Sequence, residues 1–207
     1  MAPSQFYSFG CGYAALSALG HSNFMFEKII SGGQRGVDRA ALDVALELGL
    51  PCGGWCPKGR RAEDGRIPDH YPMQEASSSD YPLRTQLNVE DSDGTLILSW
   101  GSPGGGTLLT LKLARRLHKP YFVVDLLRGG DARDVQEWGQ AKKVRTLNVA
   151  GPREGEAPGI HARAVSFLTE ILGGAPKECP RRTERLKRPI PQEDGSPASE
   201  NGPGDDP

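Results

Sequence analysis

What is scarce in this 207-residue chain narrows the field. Four cysteines, Cys11, Cys52, Cys56 and Cys179, are too few and too scattered for a disulfide framework, and a chain of this length needs none. A reducing cytoplasm is the expected setting. No stretch approaches the ~18 consecutive apolar residues that a membrane helix requires, so no membrane partner is expected. The first 26 residues hold no Lys or Arg, which argues against a secretory signal or a transit peptide. Net charge is also missing: 25 Lys+Arg face 26 Asp+Glu, and 19 of each remain when Ala175–Pro207 is set aside. General affinity for nucleic acid or anionic membranes depends on clustered positive charge, which this body does not have. Any anion site must be local.

The chain does have an alternation of short apolar runs and longer amphipathic stretches. Glu27 to Ser31, Pro51 to Trp55, Thr95 to Trp100, Tyr121 to Asp125 and Arg145 to Val149 read as strands. Val37 to Leu48, Leu83 to Glu90, Thr107 to His118, Ala132 to Lys142 and Ile160 to Leu172 read as helices, with Val37, Ala41, Val44 and Leu48 on one face of the first. Pro57 to Pro82 reads as a long polar loop. This order predicts an α/β fold of Rossmann-like, doubly wound type, a mainly parallel five-stranded sheet with helices on both faces. The predicted domain spans residues 27–174. Residues 1–26 are expected to be a poorly ordered extension. The segment 175–207, with seven prolines and only Leu186 and Ile190 as large aliphatics, is expected to be a disordered charged tail.

In such a sheet, ligands bind beyond the carboxyl ends of the strands. Two loops there are rich in glycine. Gly32, Gly33, Gln34, Arg35 and Gly36 lead into a helix whose first turn carries Asp38, and Gly104, Gly105 and Gly106 lead to Thr107. Adjacent glycines let backbone N–H groups approach an anion, and a helix N-terminus adds partial positive charge. Thr107 is placed either to cap its helix or to give a hydroxyl to a phosphate. Lys58 and Arg60 follow the second strand, and Asn148 and Arg153 leave the fifth, all at the same edge. Together they predict a site for a phosphate-bearing small molecule. The spacing is neither G-x-G-x-x-G nor G-x-x-x-x-G-K-[ST], which disfavours ordinary dinucleotide binding and P-loop chemistry.

The stretches IISGGQ at 29–34, GVDRAALD at 36–43, GGWCPKGR at 53–60, AEDG at 62–65, NVEDSDGT at 88–95, GGT at 105–107 and LNVAGPR at 147–153 carry a resemblance. In them the chain resembles the SLOG superfamily of Rossmann-like nucleotide-ligand binders, and within it the circularly permuted, YpsA-like branch described as molybdenum carriers. The resemblance implies a ligand site built from the two glycine loops, with molybdenum cofactor, a pterin bearing a phosphate, or another nucleotide derivative as cargo. Arg35 stands where that branch suggests a small hydroxyl residue, and would either strengthen an anion contact or narrow the pocket.

A related branch hydrolyses the glycosidic bond of nucleoside monophosphates, with glutamates two and three residues after the threonine. Here those positions are Leu109 and Thr110. Non-catalytic binding is therefore the first expectation. Hydrolysis, with Glu63, Asp64 or Glu90 supplying the carboxylate, is the alternative, and ligand sensing is a third. Cys52 and Cys56 lie four apart, on one face of a strand, and are expected to be structural rather than zinc ligands beside His70. A homo-oligomer is left open.

Overall fold

The computed structural model describes residues 25–173. The tail expected over 175–207, and all but the last two residues of the extension expected over 1–26, lie outside the described residues. Phe26, at the end of that extension, is buried in the core.

The elements run β1 (Lys28–Ile30), α1 (Val37–Glu47), β2 (Cys52–Cys56), β3 (Arg61–Ala62), β4 (Gly65–Arg66), β5 (Met73–Glu75), α2 (Tyr81–Glu90), β6 (Gly94–Ser99), α3 (Gly105–Arg116), β7 (Tyr121–Asp125), α4 (Ala132–Lys142), β8 (Thr146–Ala150) and α5 (Ile160–Leu172). Six strands form one parallel sheet in the order β5-β2-β1-β8-β6-β7. The α/β, doubly wound expectation holds, but the sheet has six strands rather than five. The sixth is β5, inside the presumed loop Pro57 to Pro82, where Met73, Gln74 and Glu75 add an edge to β2. Three half-polar residues on an edge need no apolar run, so no periodicity announces them. The same segment also holds the small β3–β4 hairpin.

The direction of travel explains which face each helix covers. Right-handed crossovers put α1 and α4 on one face, because β1→β2 and β7→β8 step the same way, and put α2 and α3 on the other. Accordingly α5 packs on α1 and α4, and α2 packs on α3. Covered on both sides, β6 is buried along its whole length. The main core joins Val37, Ala41 and Val44 of α1, Leu96 and Leu98, Leu147 and Val149, and Ile160, Leu168 and Ile171 of α5. Cys52 and Cys56 do share a face, packing with Leu42, Ile67 and Tyr71.

One strand is out of sequence. β8 lies between β1 and β6, although it comes last in the chain. Moving β8 and α5 ahead of β1 would let the chain run outward strand by strand, β8, β1, β2, β5 one way and then β6, β7 the other. The sheet is thus a doubly wound one whose central strand has been relocated to the end. Its point of reversal is the gap between β8 and β6, where the outgoing loops part toward opposite faces.

Candidate functional site

The β6–α3 loop and the β8–α5 loop open at that gap around a cavity of about 310 Å3 lined by Ser99, Trp100, Gly104, Gly105, Thr107, Pro152 and Glu156. Helix α3 enters it uncapped. Gly104 sits in the N-cap position with extended backbone and no side chain caps the helix. The first α3 N–H to find a carbonyl is that of Leu108, 3.0 Å from the Gly104 oxygen. Among the described residues the N–H groups of Gly105, Gly106 and Thr107 have no protein acceptor, the usual orphans of a helix start. Thr107 does not cap: its hydroxyl is buried and has no partner.

A smaller cavity of about 50 Å3 adjoins, sharing Thr107 and Glu156 and adding Gln34, Asp38, Tyr81, Arg84, Thr110 and Arg153. Three buried side-chain atoms lack a hydrogen-bond partner among the described residues: Gln34 Oε1, Arg84 Nε and Thr107 Oγ1. All three residues line this one cavity. The Arg84 guanidinium lies in the space that a side chain on Gly32 would occupy and reaches Asp38 Oδ2 at 3.4 Å. Burial pushes the Asp38 carboxyl up, while Arg84, the Gln34 N–H and Arg153 pull against that rise. Arg153 and Arg84 both flank the Tyr81 ring, at 4.9 and 5.8 Å.

The remaining sequence candidates divide. Gly36, at φ 112°, lets the loop press against the backbone of Pro152, Arg153 and Glu154, forming a bridge with Arg153. A side chain on Gly33 would meet Ile67 and Met73, and Gly33 lines neither cavity. Arg35 lines a separate cavity of about 400 Å3 with Arg39, Asp43, Tyr71, Glu154 and His161. There Asp43 accepts hydrogen bonds from the Tyr71 hydroxyl at 2.6 Å and pairs with His161 Nε2 at 2.9 Å. Arg60 is buried and donates to the carbonyls of Ile67, Pro68 and Tyr71, stapling the 57–76 segment together. Lys58 is exposed and lines none of these three cavities. Asn148 is buried within β8 and donates to Thr95 of β6.

Arg84, Tyr81, Trp100 and Glu156 are the residues that sequence reasoning missed. Arg84 and Tyr81 arrive on α2, far in sequence from either glycine loop, and no spacing links them to Gly32. Glu63, Asp64 and Glu90 are engaged elsewhere, with the Gly155 N–H, Arg39 and Gln86 respectively. The carboxylates that line the two cavities are Asp38 and Glu156.

Comparison with known proteins agrees with this fold. The crystal structure of a protein named "putative molybdenum carrier protein" from Syntrophus aciditrophicus SB superposes with a TM-score of 0.71 at 46% sequence identity, covering 72% of this chain and 96% of that one. No curated protein matches. The profile of the circularly permutated YpsA SLOG family matches residues 29–172, which runs from β1 to the end of α5 and includes the relocated strand. With most of its length inside that match, the chain belongs to the circularly permutated YpsA SLOG family.

Proposed function

We propose that the protein is a non-catalytic binder or carrier of a phosphate-bearing small molecule, with molybdenum cofactor or a related nucleotide derivative as the cargo. The observation that carries this reading is the uncapped start of α3: Gly105 and Thr107, whose N–H groups have no protein acceptor among the described residues, line one cavity, and the Thr107 hydroxyl is buried and unpartnered. A buried hydroxyl without a partner costs roughly 1–3 kcal/mol, and a phosphate oxygen would satisfy it. The helix dipole favours a negative group at the same point. The cavity of about 310 Å3 at the start of α3 has room for a phosphate and for part of the molecule that bears it. The relative named as a molybdenum carrier supports the choice of cargo.

Native mass spectrometry of the protein purified from its own cytosol tests the reading. A retained, phosphate-containing small molecule that is lost in Thr107→Val is the expected result; retention unaffected by that change contradicts it.

Glycosidic hydrolysis keeps one specific support, the Glu156 carboxylate beside Thr107. Incubation with nucleoside monophosphates should release no free base. Turnover that disappears in Glu156→Gln would replace the carrier reading with the hydrolase.

A further inference from the structure

The small cavity next to Thr107 has a donor and acceptor pattern of its own. Gln34 is 2% exposed, and its Nε2 donates to the Arg61 carbonyl at 2.9 Å, which fixes the amide orientation. Its Oε1 must therefore point the other way, where no protein donor meets it. Asp38 receives the Gln34 N–H and Arg84 Nη1 on the same oxygen, Oδ2, and Oδ1 has no donor among the described residues. Two neighbouring acceptors thus wait for donors. Beside them Arg84 Nε is a donor without an acceptor.

A phosphate cannot satisfy this set, because it brings mainly acceptors and a charge that Asp38 repels. Sugar hydroxyls can both donate and accept, but their rotatable O–H groups do not present donors and an acceptor in the fixed order that an aromatic edge does. A 2-amino-4-oxopyrimidine edge presents an amino N–H, a ring N–H and a carbonyl oxygen side by side, which is donor, donor, acceptor. We infer that Gln34, Asp38 and Arg84 read such an edge, so that the cargo is a phosphorylated pterin or guanine compound. This rests on the proposed phosphate contact at α3. Gly104 and Gly105 line only the larger cavity, Gln34, Asp38 and Arg84 only the smaller, and Thr107 stands between them. The ligand then runs past Thr107 with its phosphate at α3 and its heterocycle edge at Asp38.

Calorimetry with guanosine, inosine and adenosine 5′-monophosphates, guanosine itself and a pterin alkyl phosphate tests the assignment on the unmodified protein. Inosine lacks the amino group and adenosine inverts the edge. Guanosine monophosphate or the pterin phosphate should bind at least tenfold tighter than adenosine monophosphate, with inosine monophosphate between. Sites that hydrogen-bond a ligand group discriminate strongly against analogues lacking it. The preference should collapse in Gln34→Met and in Asp38→Asn. Equal affinity for the guanosine and adenosine compounds, or no binding by any probe, overturns the inference. If affinities are equal yet fall together in Thr107→Val, the phosphate reading survives alone. If guanosine binds as tightly as its monophosphate with selectivity intact, the edge stands and the phosphate contact does not.

Discussion

Thr107 is the residue on which the proposed phosphate contact turns. The residue is 4% exposed and its hydroxyl is buried with nothing to bond, so it costs the free protein stability. Thr107→Val removes the cost at nearly constant volume. It should raise the melting temperature by about 2–4 °C, the shift that ~1 kcal/mol gives in a domain of this size, while weakening ligand binding about tenfold. A thermal melt beside a titration checks both signs. Glu154 is a second case. Its carboxylate accepts the N–H groups of Gly159 and His161 at 2.6 and 3.0 Å, at the start of α5, and they hold it below the usual carboxylate range. A depressed pKa means that its contribution is present above the unfolded value of ~4.3 and is lost as the pH falls through the folded one. Melting temperatures taken across pH 2–6 should therefore fall less steeply on the acid side in Glu154→Gln than in the unmodified protein.

At the scale of elements, the glycines separate by what a side chain would meet. Gly36 holds a positive φ of 112°, and a Cβ there would lie 2.6–2.9 Å from backbone atoms of residues 152–154. Gly36→Ala should break the bridge to Arg153 and lower the melting temperature by several degrees. Gly106, in the first turn of α3, has no such neighbour. Alanine is the better helix former by roughly 1 kcal/mol, so Gly106→Ala should stabilise the fold while its methyl crowds the anion's approach. The sequence showed both loops and their strand-to-helix setting, because glycine runs after apolar runs are a local signal. It did not show that Gly32 makes room for Arg84, nor that Gly33 serves packing against Ile67 and Met73. Those are contacts between distant segments, and one chain read alone has no record of them. Arg60 belongs with them: a basic residue after a strand reads as a ligand contact, and its carbonyl partners at Ile67, Pro68 and Tyr71 are not visible in the sequence. β5 was invisible because an edge strand can be short and polar.

For the whole molecule, the described domain has its core closed by α5 on α1, with Leu168 and Ile171 fully or almost fully buried. The segment 175–207 has almost no apolar residues with which to add to that core. Deleting Ala175–Pro207 should leave the melting temperature within about 1 °C, and a clear loss would move the domain boundary. No helix among the described residues is long and apolar enough to cross a membrane. The proposed site at the β8/β6 gap follows from the relocated strand, since that is where the loops to α3 and α5 diverge. In the proposed site the uncapped α3 start and Thr107 hold a phosphate. The most direct test is a paired titration of a ligand with and without its phosphate, on the unmodified protein and on Thr107→Val. Removing the phosphate should weaken binding to the unmodified protein by tenfold or more, and by distinctly less in the valine variant. A phosphate effect of the same size in both proteins, or none in either, would contradict it.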